Sequence, residues 1–378
     1  MSFRHFLEQA AQTGDLIEIN KPVSVQYELA NVAHALEGRP VLFNHIIDYP
    51  GWRVCAGPCS DRKYFSMDLN VPVPELIPHL ANATENPQTP PMVEVGACQE
   101  VVLEQFDLRD LPILFHLPQD GGHYIASNVV ITEDPELGRN MCYHRLLRLD
   151  ERRFAARIIE RRGTWNAIQK VDGDLPVAIC IGVSQAVHLA ASMSPAPDVD
   201  ELAVAHALAP TPLVKCLTNN LAVPADAEIV LEGRITKRQT QEGPFMDLTE
   251  TMDIVRDQPI IEIDLITHRR NPIFHALLPG GLEHKILMGM PKEPTIFAEV
   301  NKVARCTGAI ITPGGTSWLH AVVQIDKLGA ADGRRAIEAA FKGHGSLKHV
   351  WVVDTDIDIY DPAQVEWALP PASRGTQT

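Results

Sequence analysis

Short strand-like stretches crowded into the middle of the chain limit its architecture more than any other feature. Tyr124–Thr132, Asn140–Leu149 and Phe154–Ile159 are separated only by Glu133–Gly138 and Asp150–Arg152. Linkers of that length join antiparallel neighbours, so this region predicts an antiparallel sheet. Helical spacing follows at Ser184–Met193 and Val199–Leu208, and strands return at Leu213–Leu217, Ala227–Ile235, Ile260–Thr267 and Ile273–Leu277. Ahead of the sheet, Phe3–Ala11 and Val25–Leu36 read as helices, Val41–His45 as a strand and Val73–Asn82 as a helix. The proline-rich Asn86–Pro91 then reads as a turn or linker. The last quarter runs helix (Thr295–Arg305), strands (Ala309–Thr312, Trp318–Ile325), helix (Gly333–Phe341), strand (His349–Asp354), the order of a small α/β layer.

Composition removes several classes of function. Lys and Arg total 33 against 48 Asp and Glu, a net charge of −15, which disfavours a nucleic-acid surface. The longest run without a polar side chain, near Pro176–Val183, is far short of the ~20 residues of a membrane span. The N-terminus lacks the charged-then-apolar layout of a signal peptide. Seven cysteines, an odd number without two close pairs, fit reduced thiols rather than a disulfide framework or a zinc site. A soluble cytoplasmic protein without membrane or nucleic-acid partners is expected.

Charge is nevertheless unevenly placed. Between Arg139 and Arg162 stand eight arginines and three acids, 8 − 3 = +5, with no lysine. Arginine suits planar, bidentate partners such as carboxylate or phosphate. Arg148, Arg152 and Arg153 suit a solvated strand face, whereas Arg145 and Arg157, among apolar neighbours, predict an anion site. In Gln241–Asp247, Glu242 and Asp247 lie five residues apart around Gly243-Pro244. Paired acids in unlike surroundings can divide into one ionised and one protonated group, although a surface turn has the same spacing. Asp198 and Glu201 form a capping-box pattern, and a Glu carboxylate with an Asn amide also suits Mg or Mn.

Read in order, these pieces resemble the UbiD family of reversible non-oxidative decarboxylases. The resemblance is carried by Gly121-Gly122, Gly138-Arg139-Asn140 with Arg145, Arg157, Arg162-Gly163, and Ser192-Met193 with Pro197-Asp198 and Glu201. It continues through Leu213–Cys216, Pro224–Gly233 (with Ala227-Glu228-Ile229-Val230-Leu231-Glu232-Gly233), Glu242–Phe245, and Lys348 with Asp354–Asp358. It implies an α+β fold in three parts: an N-terminal α/β domain (1–105), a flavin-binding antiparallel split β-barrel (106–300) and a C-terminal α/β domain (301–378). The family's cofactors are prenylated FMN, a divalent metal (Mn, or Mg) and often K⁺.

The resemblance further implies that Asn140 and Glu201 ligate the metal. It makes Tyr143, His144, Arg145, Arg157, Ile158, Ile159, Arg162, Gly163, Ser192, Met193 and Lys348 cofactor contacts. Arg145, Glu242 and Asp247 match the catalytic network, with Asp247 as proton donor. The partners implied are a small carboxylic acid substrate, a flavin prenyltransferase as cofactor source, and further copies of the chain in a homodimer or larger assembly. Arg161–Gly163 lacks a histidine that some members use as a metal ligand, and Met246 stands where many have glycine. His275–Lys285 resembles the short archaeal-type branch that includes trans-anhydromevalonate-phosphate decarboxylases, whose phosphorylated substrate would give spare arginines and Lys285 a partner. Pro370–Arg374 departs from the family's C-terminal segment. A flavin-binding or structural paralogue without decarboxylase chemistry is the alternative.

Overall fold

The computed structural model describes residues 2–372, so the departing tail from Ser373 onward lies outside the described residues. The chain packs as two units. One comprises the residues up to Asn70 with Asn86–His284, the other Val71–Glu85 with the chain from Lys285 on.

The first unit holds a nine-stranded sheet. Eight strands lie in the order Tyr124–Ile125, Leu146–Arg148, Arg153–Ala156, Arg256–His268, Ile229–Glu242, Leu175–Ile181, Val129–Asp134 and Gly138–Tyr143, and Val101–Leu103 pairs with Arg256–His268. Successive pairs in this order are antiparallel. Val177–Ile181 is buried throughout, as expected of a central strand covered on both faces. The order also forces the sheet to curl. Gly138–Tyr143 ends one edge and Tyr124–Ile125 the other, yet Tyr143 is joined to Leu146, beside that far edge, by His144 and Arg145 alone. Three peptide steps reach at most about 11 Å. The two edges therefore meet, giving a barrel with a seam lacking ladder hydrogen bonds, and His144 and Arg145 bridge that seam.

Several strands differ from expectation for this reason. The stretch expected to run Asn140–Leu149 breaks at the seam, and Tyr124–Thr132 divides into Tyr124–Ile125 and Val129–Asp134. The strand expected at Ala227–Ile235 continues to Glu242, and its partner starts at Arg256 instead of Ile260. Register shifts at Glu232/Gly233 and Ile235/Gln239 let this pair bend with the barrel. The helix at Glu201–Leu208 is capped by Asp200, whose Oδ1 accepts from Leu202 N–H at 2.9 Å, so Asp198 is not the N-cap.

The second unit is a three-stranded sheet, with Arg305–Ile311 antiparallel and His349–Val353 parallel to the central His320–Asp326. Ile296, Val300, Ile311, Val323 and Ala336 are among its core residues. Helix Leu76–Glu85 belongs to this unit despite its early place in the chain.

Glu228 and Glu232, the acids of the Ala227–Gly233 motif, anchor the barrel. Glu228 is fully buried and accepts from Arg4 Nε and Nη2 at 2.7 and 2.8 Å and from Ile273 N–H at 3.1 Å. Glu232 accepts from the N–H groups of Leu217 and Thr218. Removing Arg4 takes from a buried carboxylate its bidentate partner and leaves only Arg269 Nη1, at 3.5 Å, to compensate the charge. Arg4→Met should therefore lower unfolding free energy by about 3 kcal/mol, read from urea denaturation; a change below about 0.5 kcal/mol would refute the anchoring role.

Candidate active site

The long hairpin delivers acids to the seam. Its ladder ends at Glu242 paired with Arg256, and beyond it Phe245–Met246 pairs with Met252–Asp253. Arg145 reaches across to this extension. Its Nε donates to Glu242 Oε1 at 2.8 Å and its Nη2 to Oε2 at 3.0 Å, a bidentate pair. The same Nη2 donates to Asp253 Oδ2 at 2.8 Å. Arg256 donates to both Asp253 oxygens, and Arg157 Nε stands 4.0 Å from Oδ2. Tyr124 O–H donates to Glu242 Oε1 at 3.1 Å and accepts from Gly243 N–H at 3.0 Å. Phe245 packs 4.1 Å from the Tyr124 ring and lies 5.3 Å from the Arg145 guanidinium carbon.

The electrostatics follow from burial. Glu242 is fully buried. Burial pulls the Arg145 pKa down, but hydrogen bonding to and the charge of Glu242 and Asp253 raise it overall. Asp253 is pushed up by burial, and the hydrogen bonds of Arg256 and Arg145 overcome this and hold it below the usual carboxylate range. Burial, then the Glu242 charge, keeps Tyr124 protonated as a donor. Arg157 is lowered by burial, then by Arg256 and Arg145. Three guanidiniums thus share two carboxylates, a surplus of positive charge.

Asn140 and Glu201 are brought together by Met141, whose N–H donates to Glu201 Oε2 at 2.9 Å. Burial raises Glu201 to about 8, as for a carboxylate whose environment provides no compensating cation. Asn140 Nδ2 faces Cys142 Sγ and Thr164 Oγ1, while a Cβ at Gly163 would fall 2.3 Å from Asn140 Oδ1. Glycine at 163 is what leaves that oxygen its space. Two hard oxygen donors fit a divalent Mg or Mn ion completed by an anionic ligand. Among the described residues no three His, Cys, Asp or Glu side chains converge on a metal position.

Arg157 N–H donates to the Arg145 carbonyl at 3.0 Å. His144 Nδ1 meets the Arg157 carbonyl at 3.1 Å and so carries the proton there, leaving Nε2 to accept from Thr164 Oγ1 at 2.9 Å. Burial lowers His144 to about 4, which keeps it neutral. Tyr143 O–H pairs with His188 Nδ1. Ile158 is buried with its N–H on Gln258 Oε1, whereas Ile159 is 56% exposed, and Arg162 is the exposed N-cap of helix Gly163–Lys170. Ser192 Oγ donates to the His188 and Leu189 carbonyls, and Met193 is buried at the end of that helix. Lys348 belongs to the second unit, where its N–H donates to the Leu319 carbonyl.

Asp247 is tied to its own turn: its Oδ1 accepts from Leu248 N–H at 2.7 Å and its N–H donates to the Thr251 carbonyl. The second acid bonded to Arg145 is Asp253, which sequence reasoning missed. The only signal for it was the Met246–Met252 spacing that a tight hairpin turn would pair. Because its folded pKa is depressed, Asp253 contributes stability above the unfolded carboxylate pKa near ~4 and loses it below. Asp253→Asn should therefore be less stable by about 1–2 kcal/mol at neutral pH, with the gap closing as pH falls below ~4 in paired urea titrations; a gap independent of pH would contradict this.

Comparison with known proteins places this geometry in a family. Residues 92–282 match the 3-octaprenyl-4-hydroxybenzoate carboxy-lyase Rift-related domain (UbiD), residues 7–84 the corresponding N-terminal domain, and residues 285–371 the C-terminal domain. The chain is 39% identical over 380 residues to the anhydromevalonate phosphate decarboxylase of Methanosarcina mazei, covering 99% of this chain and 88% of that one. It is 41% identical over 357 residues to the anhydromevalonate phosphate decarboxylase of Methanocaldococcus jannaschii, covering 93% of this chain and 83% of that one. Among solved structures, an evolved dimeric form of the UbiD-class enzyme HmfF from Pelotomaculum thermopropionicum, in complex with prFMN, superposes with a TM-score of 0.94 at 36% identity, covering 98% of this chain and 89% of that one. The apo 3,4-dihydroxybenzoic acid decarboxylase of Enterobacter cloacae gives a TM-score of 0.90 at 25% identity, covering 97% and 84%. A UbiD-type barrel with the Arg145–Glu242 pair at its seam, matched along nearly the whole chain, makes this protein a member of the UbiD family.

Proposed function

We propose that the chain is a prenylated-FMN-dependent decarboxylase of an α,β-unsaturated acid, with trans-anhydromevalonate phosphate as substrate and isopentenyl phosphate as product. The observation that carries this reading is Arg145, clamped by the fully buried Glu242 at the barrel seam. The substrate follows from the archaeal relatives, whose name states it, and from the surplus of positive charge among Arg145, Arg157 and Arg256. That surplus suits a phosphorylated carboxylate better than an unphosphorylated one. The flavin follows from HmfF, described in complex with prFMN and with FMN.

Bound prenylated flavin supplies an electron sink for the carbon that loses CO2. Tyr143, His144, Arg157, Ile158, Ile159, Arg162 and Gly163 are assigned to holding it. Asn140 and Glu201 would hold a Mn²⁺ or Mg²⁺ ion, which would supply positive charge to an anionic ligand, and the backbone at Ser192 and Met193 is assigned to a K⁺ ion. Arg145, kept charged by Glu242, orients the substrate carboxylate. Asp247, on the turn with Phe245 and Met246, hands its proton to the carbon, a step worth about 10²–10⁴-fold. A flavin prenyltransferase supplies the cofactor in the cytoplasm, and the chain assembles as a homodimer or larger homo-oligomer, with its three sequence segments as domains (1–105, 106–300, 301–378). Among the described residues no helix is long and apolar enough to cross a membrane.

Anaerobic reconstitution with prenylated FMN and Mn²⁺, followed by a CO2-release screen over phosphorylated and aromatic acids, tests the reading. Release from the phosphorylated acid is expected. If the flavin-loaded chain releases CO2 from none of them, it is a binding paralogue. Asp247→Asn should abolish release while keeping the flavin absorbance; parental rates would remove Asp247 from the acid role. Glu201→Gln should lose Mn²⁺ and retain little flavin through gel filtration, and full retention of both would exclude it as a ligand.

A further inference from the structure

Asn140 and Cys142 alternate on strand Gly138–Tyr143, and His144 continues that spacing, so the three side chains share a face. That face meets Thr164, in the first turn of helix Gly163–Lys170 and 2% exposed. His144 Nε2 lies 2.9 Å from Thr164 Oγ1, and Cys142 Sγ is 3.3 Å from each of them. Asn140 Nδ2 closes the cluster, 3.4 Å from Thr164 Oγ1 and 3.6 Å from Cys142 Sγ. Neither Thr164 nor Cys142 has a part in the roles above, although both touch Asn140.

The hydrogens of this cluster run in one direction. His144 Nδ1 is 3.1 Å from the Arg157 carbonyl, which accepts and cannot donate, so the ring N–H is the one on Nδ1. Nε2 then offers its lone pair, and the Thr164 hydroxyl is the nearer donor to it, which commits the hydroxyl hydrogen to the imidazole. With Nε2 occupied, the Cys142 S–H has Thr164 Oγ1 to turn to. Thr164 Oγ1 and Cys142 Sγ are left with lone pairs toward Asn140, and the amide meets them with its NH2 group. Turned end for end, the amide would set Oδ1 against those lone pairs, acceptor against acceptor. Asn140 therefore donates to Thr164, Thr164 to His144, and His144 to the Arg157 carbonyl. The same order sends Oδ1 to the side of Gly163, where a Cβ would fall 2.3 Å away. An amide ligates a hard cation through its oxygen, so this is the orientation a metal ligand needs.

We propose that Thr164 is a positioning residue for Asn140: its hydroxyl, aimed by His144, holds the amide with Oδ1 free to ligate a divalent cation. The consequence rests on the reading of Asn140 and Glu201 as a Mn²⁺ site; the direction of the hydrogen bonds does not, and two measurements keep them apart. Nitrogen-15 NMR of histidine-labelled protein at pH 7, with the His144 signals assigned by their loss in His144→Gln, should find the ring hydrogen on Nδ1 and Nε2 accepting. Thr164→Val should then move the Nε2 resonance downfield, toward that of an unbonded imidazole nitrogen. A hydrogen on Nε2 in the parent would reverse the chain of donors and overturn the proposal. Titration of the flavin-reconstituted protein with Mn²⁺, read from the electron paramagnetic resonance of the free ion, supplies the second measurement. Thr164→Val should bind Mn²⁺ about tenfold to a hundredfold more weakly, and Thr164→Ser, which keeps the hydroxyl, within about threefold of the parent. Parental affinity in Thr164→Val, or a loss in Thr164→Ser as deep as in Thr164→Val, overturns the role of the hydroxyl. If the parent takes up no Mn²⁺, the metal reading of Asn140 and Glu201 falls, and the tautomer of His144 still decides which way the amide is held.

Discussion

Glu242 cannot be buried alone. A carboxylate removed from water without a counter-charge costs several kcal/mol, and here the counter-charge is a single guanidinium on a two-residue link. Because that link also closes the barrel, one interaction sets both where the sheet edges meet and where the paired charges stand. Arg145 in turn needs Asp253, and Asp253 needs Arg256, so the end of the long hairpin is held by charge pairs instead of ladder bonds.

Much of this was legible in the sequence, for reasons that differ from residue to residue. Antiparallel strands could be read because short linkers leave no other topology, whereas the pairing of Arg145 with Glu242 came from the family resemblance, since no local pattern joins two residues 97 apart. Within the arginine-rich tract, the reading of a solvated face suits Arg153, paired with Asp150, and Arg152, stacked over Phe106. The break at His144–Arg145 was not legible, since apolar periodicity continues through it and only the order of strands in the sheet reveals the change of edge. Asp253 escaped for a related reason. Its role depends on a turn whose length was not fixed by any local propensity. The Ala227–Gly233 motif shows the opposite hazard, since its two glutamates carry the family resemblance and yet bind backbone and Arg4 as structural anchors.

Charge in this site is regulated largely by burial. His144 and His116 are neutral because water is excluded from them, and Tyr124 stays protonated beside Glu242 for the same reason. The arginines resist this pressure because a guanidinium keeps its proton under nearly any desolvation. The outcome is a wall of fixed cations and neutral donors, in which the carboxyl groups are the members left to exchange protons.

The excursion of Leu76–Glu85 into the second unit sets an order of assembly. Its apolar face, Leu76, Ile77 and Leu80, is synthesised roughly 285 − 85 = 200 residues before the chain it packs with. At the usual pace of about 5–20 residues per second, that face waits on the order of 10–40 s on the ribosome without its mate. A nascent chain of this protein is therefore exposed to chaperone capture early. A fragment ending at His284 would carry the same uncovered helix for good.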